Sequence, residues 1–521
     1  MRLSTLGILT AFAMSLTSAT VWSMTSPDDA HTDAPPSADA RASLPSLGLS
    51  TRARLGDASV DPGEPDPLDL PDESSFVAGK TLMVEGRLGN ASMLADARGE
   101  TFLFVDVRSD PAGLDPGSFT PEPLNLAVVI DHSGSMKGQR ERNALDAAAG
   151  MIQRLRDGDT VSVVVYANEA SLAVPVTTID ARSRAQILAQ LRAGVASRPS
   201  GNTCISCGLD LGLETLERRR PGIDRVLLLS DGEANRGVTD ERGMRIFARR
   251  ARSRGVTVSS VGVDVDYNEQ LMSALAREAN GRHYFSETGE NLEQIFDQEL
   301  ENLIAAVAKQ GELVIELAPG VRALEVFDRS HQQIGAQVSV PMGTFSAGES
   351  KTLLMRVEVP PSPAGARPIA SVALRYDDLT GSDTGECFGE LAARMTTSPS
   401  EVDPLDPVVL SRLTRAETSR TLERSNALFA AGRTAEAQRV VDDHLDQLRE
   451  RRKSATTASN APGFFDPFGR DLDDDFAEQA TALDSAAGGF SQAAEASAPA
   501  ASREGKAQVK RNTERADAFS L

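Results

Sequence analysis

Apolar and polar positions follow two different spacings in the central part of the chain. Four continuous apolar runs rich in β-branched residues predict buried strands, at residues 124–130, 160–166, 225–230 and 256–263. After the first run, Leu145, Ala148, Ile152 and Leu155 lie three or four positions apart, which predicts a helix with one buried face. Further helices are predicted over residues 182–191, 205–217, 240–254, 269–279 and 291–308. This order of elements predicts an α/β domain with a doubly wound, mostly parallel sheet over residues 122–309.

Extended runs also lie on both sides of the α/β domain. Strands are predicted within residues 76–121 and again within 310–400, where Pro and Gly separate short apolar runs. Because these runs flank the α/β domain, we expect one β-sandwich into which that domain is inserted. Two amphipathic stretches joined at Gly432 then predict a helical hairpin over residues 401–453.

The two ends of the chain have a different composition. Residues 1–23 resemble a secretory signal, with Arg2 before an apolar run and small residues after it. An uncleaved N-terminal anchor is the weaker alternative. Residues 24–75 and 454–521 are rich in Ala, Ser, Pro and Asp, which predicts a disordered linker and a disordered tail. We therefore expect an exported protein, periplasmic, surface-bound or secreted, with no membrane span once the signal is cleaved.

The net charge of the chain limits the classes of partner that it can attract. The 521 residues include 54 Lys and Arg against 75 Asp and Glu, a net charge of -21. Such an acidic chain is not attracted to nucleic acid or anionic lipid by its overall charge. We expect no nucleic-acid partner.

Three loops of the α/β domain carry oxygen-bearing side chains. Asp131, Ser133 and Ser135 directly follow the first predicted strand, Thr203 precedes a predicted helix, and Asp231 follows the strand at 225–230. In an open parallel sheet these loops meet at the carboxyl ends of neighbouring strands. Turns and helix caps use the same residue types, so each loop alone is weak evidence. Together they predict a site for a hard cation, Mg²⁺ or Mn²⁺ in preference to Ca²⁺, which favours carboxylate-rich sites.

The same five residues match the metal-ion-dependent adhesion site of von Willebrand factor type A (VWA) domains. The resemblance covers residues 124–308, and the segments LNLAVVIDHSGSM, DRVLLLSDGEANRG and DYNEQLMSALA are similar to bacterial secreted relatives of calcium-activated chloride channel regulators and inter-alpha-trypsin inhibitor heavy chains. It implies that Asp131, Ser133 and Ser135 contact the metal, and that Thr203 and Asp231 do so directly or through water. An Asp or Glu of a protein partner would complete the coordination.

Two further pairs lie near these loops. Asp266 and Glu269 have the spacing of a helix-capping pair. The alternative interpretation is that they contact the partner at the rim of the metal site. Cys204 directly follows Thr203, and Cys207 comes three residues later. The two form a local disulfide or pack as small residues, or else they catalyse thiol-disulfide exchange as redox CxxC pairs do. The third cysteine, Cys387, is expected to be buried in the β-sandwich.

Three functions follow in order of preference. The first is a secreted or envelope adhesion module that binds a protein through its metal, and it is not an enzyme. The second is a scaffold for envelope assembly in which the metal is structural. The third is a thiol-disulfide redox protein that uses Cys204 and Cys207. The chain has no HExxH, GxSxG or GxxxxGK[ST] motif, which argues against the commonest hydrolase and nucleotidase classes.

Overall fold

The structure is a computed structural model that describes residues 74–109, 122–196, 199–217, 221–381, 384–458 and 471–520. The predicted signal and nearly all of the predicted linker lie outside these ranges. Within them, no helix combines the length and apolar character that crossing a membrane requires.

Four strands precede the α/β domain and belong to the β-sandwich. They are β1 (Ser75–Gly79), β2 (Leu82–Leu88), β3 (Ser92–Leu94) and β4 (Gly99–Ser109). Side chains alternate between the two faces of a strand, and one face of β4 is apolar. Its residues Leu103, Val105 and Val107 are fully buried in the core between the two sheets.

Among its described residues, the α/β domain has six strands and six α-helices. The strands are β5 (Leu124–Asp131), β6 (Thr160–Tyr166), β7 (Ala170–Thr178), β8 (Ile223–Ser230), β9 (Thr257–Val263) and β10 (His283–Ser286). The helices are α1 (Gln139–Arg154), α2 (Ser183–Ala196), α3 (Ile205–Glu217), α4 (Glu241–Arg252), α5 (Glu269–Glu278) and α6 (Leu292–Ile304). The sheet order is β10-β9-β8-β5-β6-β7, with β7 antiparallel to β6 and the other pairs parallel.

Helices cover both faces of this sheet, which confirms the doubly wound fold class. Val128 of β5 shares one apolar core with Ile152 of α1 and Phe296 of α6. Its neighbour Val129 points to the opposite face and shares a second core with Leu209 of α3. Strand β5 is buried along its whole length, as its continuous apolar sequence predicts.

The second part of the β-sandwich follows α6 directly. Its strands are β11 (Ala306–Leu317), β12 (Arg322–Val326), β13 (Gln332–Ile334), β14 (Gln337–Ser346), β15 (Ser350–Val359), β16 (Gly365–Asp378) and β17 (Thr384–Thr396). The two sheets have the orders β1-β2-β4-β15-β12 and β13-β14-β11-β16-β17-β3. Strands from before and after the α/β domain therefore pair within both sheets, as an inserted domain requires.

Four helices complete the described chain: α7 (Pro407–Ala430), α8 (Thr434–Ala458), α9 (Leu472–Ala493) and α10 (Arg503–Ser520). Phe476 and Phe490 of α9 and Phe519 of α10 are buried against α7 and α8. The prediction of a disordered tail over residues 454–521 is therefore wrong for the described residues 454–458 and 471–520. The side chains that α9 and α10 contribute to this core are mainly Ala and Phe, so the segment has few of the branched apolar residues by which a sequence reveals a core.

Other differences concern short or edge elements. Strands β7 and β10 were not predicted; β7 is a partly exposed edge strand, and β10 has only four residues. The helix predicted over 291–308 ends at Ile304, because Ala306 already pairs with Ser346 in the sandwich.

Candidate metal site

The sheet order brings the three predicted loops to one edge. Strand β5 lies between β8 and β6, so the loops after β5 and β8 start from adjacent strand ends. Asp131 is the last residue of β5, and Asp231 directly follows β8. Thr203 approaches the same edge at the start of α3, where Cys204 N donates to the carbonyl of Ala167 after β6 (3.0 Å).

Asp131 is fully buried and its carboxylate is fixed by neighbours. Oδ2 accepts from the Ser230 hydroxyl at 2.7 Å and lies 3.4 Å from the donating Tyr166 hydroxyl. Oδ1 accepts from Ser133 N at 2.8 Å, which sets the turn of the loop. Few rotamers remain for this side chain, so its oxygens are held in place before any ligand binds.

The hydroxyl groups continue the cluster from Asp131 to Asp231. Ser133 Oγ lies 3.1 Å from Ser135 Oγ, and Ser135 Oγ donates to Asp231 Oδ1 at 2.7 Å. A Cβ placed on Gly232 would lie 3.4 Å from Thr203 Oγ1 and 3.7 Å from Ser135 Oγ. Gly232 therefore leaves open a small space bordered by these hydroxyls.

Burial makes the two carboxylates resist ionisation. It raises the pKa of Asp131 from 3.8 to about 6, against hydrogen bonds from Ser230 and Ser133 that lower it. Burial also raises the pKa of Asp231, opposed by hydrogen bonds from Ser135 and Arg140. Adjacent buried carboxylates of this kind are stabilised by a bound cation.

The donor set fits a small hard cation. It combines two carboxylates with three hydroxyls, and the described residues contain no group of three or more His, Cys, Asp or Glu side chains arranged to hold a metal. Neutral oxygen donors with few carboxylates suit Mg²⁺ or Mn²⁺ better than Zn²⁺, which is bound mostly by nitrogen and sulfur ligands.

The sequence interpretation missed two charged residues beside these donors. Arg140, in the first turn of α1, donates to Asp231 Oδ2 at 3.0 Å and to the carbonyl of Ser135 at 3.1 Å. Its other terminal nitrogen pairs with Asp264, which directly follows β9. The position of Asp264 at a strand end was the available signal, whereas nothing in the sequence indicated that Arg140 would turn toward the site.

The capping role predicted for Asp266 and Glu269 is wrong. Asn268 caps α5, its side chain accepting from Leu271 N at 3.0 Å, because it is the residue directly before the helix. Asp266 instead pairs with Lys506 of α10 at 2.7 Å, and Glu269 pairs with the buried Lys510. Helix α10 thus covers this side of the α/β domain.

The two cysteines after Thr203 are joined. Cys204 and Cys207 form a disulfide across the first turn of α3. Cys204 is buried and Cys207 is partly exposed. Cys387 is a buried free thiol in the sandwich, where burial raises its pKa to about 11.

Comparison with known sequences gives one family. The family model for the von Willebrand factor type A domain matches residues 125–298. The uncharacterized protein sll0103 of Synechocystis is 28% identical over 274 residues, which are 50% of this chain and 63% of that protein. The uncharacterized protein YfbK of Escherichia coli is 27% identical over 56% of this chain and 51% of its own length. Human inter-alpha-trypsin inhibitor heavy chain H4 is 24% identical over 37% of this chain and 22% of its own. The match thus spans less than two thirds of each relative.

Comparison with solved structures extends beyond the α/β domain. The von Willebrand factor type A protein from Catenulispora acidiphila superposes with a TM-score of 0.61 at 17% identity, over 73% of this chain and 90% of that one. The ArnB paralog VWA2 from Sulfolobus acidocaldarius gives 0.53 at 16% identity, over 85% and 99%. At these identities the likeness shows the fold alone.

Proposed function

Because residues 125–298 form a von Willebrand factor type A domain, we propose that this chain binds a protein partner through a divalent cation at a metal-ion-dependent adhesion site. The cation would be held by Asp131, Ser133, Ser135, Thr203 and Asp231. One observation carries the proposal: side chains from three separate loops converge. Contacts of 2.7–3.1 Å link Ser133 through Ser135 to Asp231, and Thr203 Oγ1 would lie 3.4 Å from a Cβ on Gly232.

The donor set supports Mg²⁺ or Mn²⁺ as the cation. When bound, the cation would supply an electrophilic contact for a carboxylate. The protein provides two carboxylates at most, and Arg140 offsets part of the charge of Asp231, so a divalent ion would stay receptive to an Asp or Glu of the partner. Asp131 is fixed by Ser230 and Ser133, and this preorganisation reduces the entropy lost on binding.

Binding rather than catalysis is the proposed activity. The disulfide joins Cys204 to Cys207 inside a packed helical turn, next to Thr203, and there it restrains the metal loop. A disulfide also suits an oxidising compartment, which agrees with the export that the signal-like residues 1–23 predict.

The experiment compares the full chain with Asp131→Ala and with Asp210→Ala, a control that removes an exposed carboxylate of α3. Mn²⁺ binding is measured by electron paramagnetic resonance, and partner capture from envelope and culture fractions is measured in Mg²⁺ and in EDTA. We expect wild type and Asp210→Ala to bind metal and to retain the same partner only with Mg²⁺, and Asp131→Ala to do neither while keeping its circular dichroism spectrum.

Two outcomes would contradict this proposal. Equal Mn²⁺ binding by wild type and Asp131→Ala would mean that the metal lies elsewhere. Complexes that survive EDTA while the melting temperature falls would favour a scaffold with a structural metal.

A further inference from the structure

A chain of ion pairs connects the proposed metal ligands to the C-terminal helix. Arg140 bridges Asp231 and Asp264, and Arg503 of α10 donates to the other oxygen of Asp264 at 2.7 Å. Asp231 and Asp264 are almost completely buried, whereas Arg140 is 34% exposed. The arrangement alternates in sign from Asp231 through Arg140 and Asp264 to Arg503.

This cluster sets the charge around the site. Together with Asp131 it holds three carboxylates and two guanidinium groups, so its formal charges sum to a single negative charge. A divalent cation would change that single negative charge to a single positive one. The acidic side chain of a partner would then bring the cluster to neutrality.

We propose that Arg140 is the positioning residue that makes this site select an anionic side chain. The inference rests on the proposed function, because it takes the divalent cation as bound. Arg140 acts through Asp231: it binds the oxygen that Ser135 does not use and offsets that carboxylate's charge. Without the guanidinium, cation and carboxylates would cancel, and a further carboxylate would be attracted less.

Two binding constants should therefore move in opposite directions when Arg140 is neutralised. Metal affinity should rise, since a positive charge beside the cation is removed, and carboxylate affinity should fall for the same reason. A group that only supported the fold would weaken both together. A unit charge a few ångströms away and partly exposed to solvent changes such affinities by roughly tenfold.

The test uses the full chain with Mn²⁺ as the metal and acetate as the carboxylate. Mn²⁺ affinity is measured by electron paramagnetic resonance, and acetate is then titrated onto the Mn²⁺-saturated protein while water proton relaxation is followed. Arg140→Gln should bind Mn²⁺ about tenfold more tightly and acetate about tenfold more weakly. Arg140→Lys, which keeps the charge, should retain most of the wild-type acetate affinity.

Arg142→Gln is the matched control. Arg142 is an exposed neighbour on α1, and its guanidinium donates to the side chain of Gln139. It should leave both constants unchanged. Arg503→Gln removes the same charge farther from the metal without touching Asp231, and so covers the case in which Arg140→Gln fails to fold. It should shift both constants in the same directions as Arg140→Gln, by a smaller factor.

The outcomes separate this inference from the proposed function. Wild-type constants in Arg140→Gln, or a parallel loss of metal and acetate binding, would overturn the role of Arg140 while the metal site stands. No Mn²⁺ binding by the wild-type chain would instead refute the metal site itself.

Discussion

Lowering the pH from 7 to 5 should weaken metal binding, because the metal needs the ionised form of Asp131. Burial raises the pKa of this carboxyl to about 6. The ionised fraction then falls roughly tenfold between pH 7 and pH 5, and the apparent Mn²⁺ affinity should fall by the same factor. The raised pKa of Asp231 acts in the same direction.

The same shift predicts how the metal-free protein responds to pH. The folded form holds the Asp131 proton more tightly than the unfolded form between about pH 4 and pH 6. The contribution of this group to stability is therefore present at the acidic end and is lost as pH rises through that window. A shift from 3.8 to about 6 corresponds to about 3 kcal/mol. A cation bound at the proposed site would offset this loss at neutral pH.

Two assays measure these effects. Mn²⁺ titrations followed by electron paramagnetic resonance at pH 5, 6 and 7 give the affinity, and denaturant unfolding in EDTA gives the difference in free energy between wild type and Asp131→Asn. An affinity that changes less than about twofold from pH 7 to pH 5 would refute the reasoning. So would a free-energy difference that stays constant across the window.

Three further predictions concern a donor hydroxyl, the disulfide and a tightly packed glycine. Thr203→Ala should lower Mn²⁺ affinity by at least about tenfold while circular dichroism stays unchanged, since it removes one donor oxygen; an unchanged affinity would exclude Thr203 from the site. Reducing the Cys204–Cys207 disulfide should lower the free energy of unfolding by about 2 kcal/mol, the value for closing so short a loop, and the Cys204→Ser/Cys207→Ser double variant should show no effect of reductant in the same denaturation assay. Gly281→Ala should destabilise the α/β domain by about 3 kcal/mol, because its Cβ would lie 2.0 Å from the Val258 carbonyl oxygen; Gly488→Ala, which meets nothing within 4 Å in helix α9, should not lower the melting temperature.

The sequence predicted the parts of the fold that repeat a simple pattern. Strands β5, β6 and β9 are buried throughout and β8 at all but one residue, which explains why apolar runs located them correctly. Helix α3 was predicted with its observed ends. Edge strand β7 is partly exposed and β10 has only four residues, so neither has the long buried apolar run that identified the other strands.

The elements that were predicted wrongly depend on tertiary contacts with distant parts of the chain. Residues 471–520 lack the large apolar content of an independent core, yet Phe476 and Phe490 are buried because α7 and α8 provide the opposite surface. The prediction of a capping role for Glu269 failed for a similar reason. Its partner Lys510 lies 241 residues away on α10, so local spacing could not reveal it.

In the candidate metal site, too, the sequence predicted some residues and only the folded structure revealed others. Strand ends indicated Asp131 and Asp231 because parallel strands bring their carboxyl ends to one edge. Arg140 lies on a helix face, and only the folded chain shows that it turns toward Asp231 and Asp264. Charged residues that act through other residues leave little trace in a single sequence.

A crystal of the full chain grown with Mn²⁺ would test the central claim most directly, by the anomalous scattering of the metal. We predict one peak at the carboxyl end of the central sheet, within about 2.3 Å of oxygen atoms from at least three of Asp131, Ser133, Ser135, Thr203 and Asp231. A map with no peak there, at a Mn²⁺ concentration that saturates the protein in solution, would contradict the account.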